Sequence, residues 1–281
     1  MGAVEAVIDI LLGLGASAYG TLIGAGGGFL MSPALLLVFN QPPQVAAGTS
    51  LTAVVFNAAT AVLTYHQQGR IDYYTGVRFA AATIPTAVLG SLIVPYMPDR
   101  AFKLIFGLVL VLIASYLALR GDRPAGRPAG FVADEAGLRA EGKTVRKLTD
   151  ASGITVLYGY RMRDGLLLSA GVGLMSSLLG VGGGIIHTPA MITLFAVPAH
   201  VAVATSQFIL LISAATGAVS YLVRGHVDLL TAIALGIGGI IGARLGAAIA
   251  RRVKGRLIVR LLAVALLAVG ARLIAGGLGV L

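Results

Sequence analysis

The chain has 281 residues, of which 57% are hydrophobic and 11% charged, with a formal net charge of +10 and no cysteine; its mean hydropathy is +0.93. Soluble domains carry about 25% charged residues, so this composition excludes a water-soluble globular fold and predicts an integral membrane protein. The missing cysteines exclude disulfides, thiolate metal sites and cysteine nucleophiles, and basic residues lying between apolar runs follow the positive-inside rule rather than forming a nucleic-acid patch on a soluble face.

Residues 1–9 contain Glu5 and Asp9 but no Lys or Arg. The basic start of a secretory signal peptide is therefore missing, and the segment reads as the beginning of the first span. Apolar runs cover 4–23, 29–40, 45–66, 73–97 and 101–119, and resume over 165–179, 185–197, 201–223, 229–250 and 257–275. Several reach the roughly 20 residues that cross the hydrocarbon; the second run of each set is too short to do so comfortably. Lipid offers no partner to free backbone groups and no run alternates like a barrel strand, so every run is predicted helical. Between the sets, 120–164 mixes basic residues with acids, prolines and glycines. Its start, GDRPAGRPAG, reads as a flexible linker. Its middle suggests a short hairpin with FVADEAG and KTVRKL as arms. The segment as a whole reads as a cytosolic connector, with a regulatory or docking element as the rival. The domain organisation is thus a first membrane repeat over 1–120, a cytoplasmic linker over 121–164 and a second repeat over 165–281.

A shift of 156 positions aligns 15–120 with 171–276 without a gap, with about 29 of roughly 106 positions identical. Gly24, Gly26, Gly27, Gly28 and Pro33 fall on Gly180, Gly182, Gly183, Gly184 and Pro189; Thr49 and Ser50 fall on Thr205 and Ser206; Asp72 falls on Asp228. Five elements per half give an odd number of crossings between equivalent points, whether the first two both cross or form one re-entrant hairpin, so the halves are expected to be inverted. Charge supports this. With the linker inside, the inner side carries Arg70, Arg78, the nine basic residues over 120–163 and the six over 244–260. The outer side carries only Arg100, Lys103, Arg224 and Arg272. Both ends of the chain are then outside the inner membrane. The fold class is all-α integral membrane: two inverted repeats, each with a Gly-Gly-Gly helix break or hairpin plus three further helices.

The segments GAGGGFLMSP and GVGGGIIHTP interrupt apolar runs. Three glycines cost a helix about 1 kcal/mol each relative to alanine. The compensating gain is unwound backbone flanked by helix ends, whose free N–H groups and positive dipole ends attract an anion; close helix packing alone is the bland alternative. No Lys-Ser/Thr follows the glycines, so a nucleotide loop is not implied. Hydroxyls and amides bind an oxyanion without burying a charge. That makes Thr49, Ser50, Thr205, Ser206 and Gln207 candidates beside Gly24, Gly26, Gly27, Gly28, Gly180, Gly182, Gly183 and Gly184, with helix back-bonding or capping as their structural alternative. Asn57, opposite Ser213 in the repeat, and His187, where the first half has Met31, are further candidates. Asp72 and Asp228 read as helix N-caps, and Arg78 and Arg244 as snorkelling cations.

The doubled Gly-x-Gly-Gly-Gly…Pro motif, followed by Thr-Ser in each half, resembles the TauE/SafE family of sulfite exporter-like transporters across both hydrophobic halves. The resemblance implies export of a small sulfur-containing anion such as sulfite or an organosulfonate, driven by an ion gradient. It places the four glycines and the proline of each break, with Thr49, Ser50, Thr205 and Ser206 behind them, at the site. The reading is a secondary transporter with a small anionic substrate and the lipid bilayer as partners, no nucleic acid, no cofactor and no catalytic or metal site. A carboxylate cargo on the same fold is one rival; a membrane assembly factor or intramembrane enzyme is the other. The sequence leaves the oligomeric state open.

Overall fold

Each predicted apolar run is a helix, as the demand for internal backbone pairing in lipid requires. The computed structural model describes residues 2–120, 135–249 and 255–279. In chain order come α1 (Ala3–Ile23), α2 (Gly28–Leu37), α3 (Pro43–Gln67), α4 (Tyr73–Ile93), α5 (Asp99–Arg120), α6 (Glu135–Ala140), β1 (Thr144–Thr149), β2 (Thr155–Tyr160), α7 (Met162–Leu179), α8 (Gly184–Thr193), α9 (Ala199–Leu222), α10 (Leu229–Ile249) and α11 (Gly255–Leu278). Among the described residues, α1, α3, α4, α9 and α10 are long and apolar enough to cross a membrane. The two helices that follow the breaks, α2 and α8, have 10 residues each. At 1.5 Å per residue each reaches only about half the hydrocarbon thickness.

The packing repeats as the sequence does. α1 lies on α10 and its equivalent α7 on α4; α3 packs on α9, and α5 on α11. Small residues allow the close approach. Gly48 sits against Tyr221 and Gly217 against Leu51, so the equivalent helices α3 and α9 run antiparallel. Gly107 against Gly270 and Gly277 against Leu104 show the same for α5 and α11. By contrast, Gly238, Gly242 and Gly246 meet Ile10, Leu14 and Ala18 in turn, so α1 and α10 run in the same direction.

The linker departs from its sequence reading. KTVRKL does contribute a strand, but its partner is TVLYGY, with Thr144 opposite Tyr160 and Thr149 opposite Thr155. Residues 135–137 of the expected first arm belong to α6; 131–134 and the GDRPAGRPAG stretch lie outside the described residues. The turn chemistry explains the choice. Asp150 accepts from the N–H groups of Ser152 (2.9 Å) and Ile154 (3.0 Å), and Gly153 takes a φ of 79°, a combination that reverses the chain cheaply. The hairpin is docked rather than a bare connector: Val156, Tyr158 and Tyr160 are buried in one cluster with Phe79, Phe195 and Val197.

Candidate functional site at the paired glycine breaks

Each break is a helix stop followed by a helix start. Gly24 (φ 74°) and Gly180 (φ 72°) end α1 and α7 in the left-handed conformation that favours glycine. Ala25 N–H then donates to Gly20 O at 2.8 Å and Val181 N–H to Ser176 O at 3.2 Å, closing both stops. Gly26 (φ 69°) and Gly182 (φ 68°) are left-handed as well. The chain then re-enters a helix at Gly28 and Gly184.

The two breaks meet. A Cβ on Gly28 would lie 2.5 Å from Val181 O, and one on Gly184 would lie 2.7 Å from Gly24 O. Three hydroxyls bond carbonyls that the stops leave without helical partners. Ser32 Oγ donates to Leu179 O (2.7 Å), Thr188 Oγ1 to Gly24 O (2.9 Å) and Ser50 Oγ to Gly180 O (2.8 Å). Ser32 and Thr188 are equivalent in the repeat, so each half closes the helix end of the other. Leu210 lies between Gly26 and Gly182, within 2.6 Å of where either Cβ would stand, and Val54, its repeat equivalent, backs it.

The N-termini of α2 and α8 differ. Gly183 N–H is capped by Ser176 Oγ at 2.7 Å. The first half has Gly20 at the equivalent position, and Gly27 faces Ser17 instead: a Cβ there would touch Ser17 N and Oγ at 3.0 Å. Ser17 Oγ and Asn57 Nδ2 are both buried without a partner; Thr21 Oγ1 donates to Asn57 Oδ1 at 3.1 Å and fixes the amide. The N–H groups of Gly28 and Phe29 have no acceptor within α2. A hydroxyl, an amide N–H and the positive end of a short helix thus share one buried corner, closed by Gly239 of α10, whose Cβ would stand 3.1 Å from Ser17 Oγ. No basic side chain is needed to make this corner attractive to an anion.

The other sequence candidates distribute unevenly. In the second half Ser177 Oγ, Ser206 Oγ, Ser213 Oγ and both amide atoms of Gln207 are buried without partners. The antiparallel register of α3 and α9 sets Gln207 about one helical turn from the level of Asn57. His187 faces back to α7, with Nε2 3.1 Å from Ser169 Oγ and Nδ1 unpaired. Thr49 and Thr205 are not brought together. Thr49 Oγ1 accepts Asp228 N–H and Thr205 Oγ1 accepts Asp72 N–H, both at 3.0 Å, at opposite ends of the antiparallel pair. Ser17, Thr21 and Ser177 were not singled out from sequence. Their signal is faint, a hydroxyl within the two turns that precede a glycine break.

A profile described as "Sulfite exporter TauE/SafE" matches residues 9–273. The chain is 35% identical over 279 residues to the "Probable membrane transporter protein YunE" of Bacillus subtilis (strain 168), covering 97% of this chain and 98% of that one. It is 28% identical over 237 residues to a "Probable membrane transporter protein" of Xylella fastidiosa (strain Temecula1), covering 83% and 80%. Over 122 residues it is 33% identical to the "Sulfite exporter TauE/SafE family protein 3" of Arabidopsis thaliana, covering 42% of this chain and 25% of that one. No solved structure matches.

Proposed function

The chain belongs to the TauE/SafE sulfite exporter family and is a multi-pass membrane transporter; we propose that it is a secondary transporter that exports a small sulfur-containing oxyanion, such as sulfite or an organosulfonate, across the inner membrane. The observation that carries this reading is the corner at the first break, where Ser17 Oγ, Asn57 Nδ2 and the start of α2 offer unpaired donors in a buried place. Unpaired buried donors cost about 1–3 kcal/mol each, and an oxyanion with several acceptor atoms removes that cost for all of them at once. The second half offers Ser177, Ser206, Gln207, Ser213 and His187 as further buried groups with unpaired polar atoms.

Access alternates by movement of one repeat against the other about the stitched breaks. Leu210 and Val54, wedged between Gly26 and Gly182, separate the two sides in the closed arrangement. Antiparallel α3/α9 and α5/α11 support an inverted repeat, as does the charge split, with the linker cytoplasmic and both chain ends outside.

Purified protein in proteoliposomes tests the cargo. Sulfite and a small sulfonate should compete for one saturable flux, and a small carboxylate should compete poorly. Carboxylate flux that sulfite does not inhibit would overturn the sulfur-anion reading. Reporter fusions at Gly130 and at the chain's last residue test the topology: a cytoplasmic signal at the first only is expected, and cytoplasmic signals at both would refute inversion.

A further inference from the structure

Asp9 has no part in anion binding, yet it is buried in the second turn of α1. It is 2% exposed, and its Oδ1 has no hydrogen-bond partner. α10 runs alongside in the same direction, with Gly13 against the Leu235 backbone and Gly238 against Ile10 O. That register brings the first turn of α10, with Asp228 just before it, to within about two helical turns of the level of Asp9. Thr231 Oγ1 donates to Asp228 Oδ2 at 2.9 Å, and its N–H to Oδ1 at 3.3 Å. Asp228, Glu5 and the Thr231 hydroxyl all lie near enough to Asp9 to act on its charge. Glu5 itself accepts from Gly2 N–H at 2.7 Å.

Among the described residues neither Asp9 nor Asp228 joins an ion pair; His226, two residues before Asp228, keeps a buried Nδ1 without a partner. Of the other helices against α1, α2 carries no charged residue and α3 has only His66, in its last turn. A buried, unpartnered carboxylate inside a membrane span, with other carboxylates nearby and no cation against it, is costly to keep ionised and calls for a proton. Hard metal cations such as Ca2+ take about six oxygen ligands. Among the described residues no group of three or more His, Asp or Glu side chains is placed to hold a metal, so the corner suits a proton and not a metal.

We propose that Asp9, facing the Thr231–Asp228 start of α10, is a proton-binding site at the α1–α10 junction that couples transport to a proton gradient. The link to the breaks is short, two hydrogen bonds joined through adjacent residues of α3. Asp228 N–H is held by Thr49 Oγ1, and the next residue, Ser50, bonds Gly180 O across the breaks. Protonation that shifts the start of α10 therefore pulls on the residue beside the crossing. The site stands independently of the cargo.

Proton uptake by the purified protein tests it without any substrate. On acidification from neutral pH, the wild type should bind about one proton per chain more than Asp9→Asn, with a matching carboxylic C=O band in infrared difference spectra that the variant loses. Asp228→Asn removes a neighbouring negative charge, so the uptake midpoint should move to lower pH. Thr231→Val keeps both carboxylates and removes the hydroxyl beside them, so its uptake midpoint should move; it serves as the second variant if Asp9→Asn does not insert. Uptake in Asp9→Asn equal to wild type, or an unmoved midpoint in Thr231→Val, would overturn the proposal. In proteoliposomes the response of sulfite flux to an imposed pH gradient should fall about tenfold in Asp9→Asn, equivalent to about 1.4 kcal/mol. Absence of sulfite flux in the wild type would count against the cargo alone and leave the proton count to decide this site.

Discussion

Asp72 and Asp228 open equivalent helices in the two halves, and each caps its own first turn through Thr75 or Thr231. Around that shared geometry the chemistry is opposite. Asp72 is 1% exposed and receives Arg146 at 2.8 Å through Nη2, together with the Tyr158 hydroxyl at 2.7 Å. The Arg146 guanidinium in turn lies 4.2 Å from the centre of the Tyr74 ring, which Arg78 also covers at 3.4 Å. Arg78 is therefore a stacking residue on the linker side as well as a cation near the span's end. Burial pushes the Asp72 carboxyl up, but the hydrogen bonds from Arg146, Thr75 and Tyr158 outweigh it and hold the group below its ordinary value. Asp228 has no such clamp and faces another carboxylate. A duplicated backbone supplies the same loop twice; the hairpin inserted between the copies then locks one of them with a countercharge and leaves the other beside a second carboxylate.

The largest expected effect asks whether the halves are equal where they cross. Gly28→Leu and Gly184→Leu each push a side chain into the other break's backbone, and backbone cannot retreat as a flexible side chain can. Overpacking alone costs about 1–3 kcal/mol, and loss of the crossing geometry should lower anion flux by more than about 100-fold in both variants. Inserted protein and flux are measured together. Near-normal flux in one variant would make the breaks unequal, and near-normal flux in both would return the glycines to packing alone.

The clamp comes next in size. Arg146→Ala leaves Asp72 buried without its countercharge. Removing one partner of a buried pair costs about 3–5 kcal/mol, and Arg146, with its side chain 26% exposed, should fall at the lower end, near 3. Tyr158→Phe deletes a hydrogen bond to a charged group, worth about 1.5–3 kcal/mol. Thermal melting in detergent should show both losses. The pH dependence has a definite sign. A carboxylate held below its ordinary 3.8 stabilises the fold fully above that value, and the gain fades only as pH falls through the lower folded-state value. The hydrogen-exchange protection factors of β1 and β2 should therefore stay constant from neutral to mildly acidic pH, where Asp9 takes up its proton. Hairpin exchange that accelerates together with that uptake would show the two loops to be coupled and not contrasted.

Much of the fold was legible because membrane helices advertise themselves by length and apolarity, and the repeat by identity at a fixed shift. The breaks were legible because three adjacent glycines have no use inside a helix. The hairpin was misplaced because KTVRKL was paired with the arm before it; TVLYGY, with its β-branched and aromatic residues following an Asp-x-x-Gly turn, held the better strand signal. The partners of the polar candidates were not legible. Thr49-Ser50 reads as one unit, yet successive helical positions point about 100° apart, so Thr49 turns to the Asp228 loop while Ser50 turns to the crossing. Asp9 looked like the polar start of a span because nothing in the local sequence announces a helix from the far half beside it.

The smallest predicted effect is the one that separates sequence symmetry from structural asymmetry. Thr49→Val and Thr205→Val each delete the acceptor for an aspartate N–H at the start of the opposite half's fourth helix. The repeat alone predicts equal costs. The structure does not, because the Asp72 loop is sealed by the docked hairpin whereas Asp228 is only half-buried. A donor orphaned in the sealed loop loses its desolvation energy outright, about 1–3 kcal/mol. One orphaned at Asp228 recovers part of it from water, so Thr49→Val should cost below about 1 kcal/mol. Melting of the two variants in the same detergent gives the difference directly. The more informative reading is the proton uptake of Thr49→Val: freeing Asp228 N–H loosens the tie between the proton site and Ser50, so the proton count should persist while its influence on flux weakens. Equal melting losses, together with unchanged coupling in Thr49→Val, would mean that the two loops are equivalent after all and that the hairpin adds only stability.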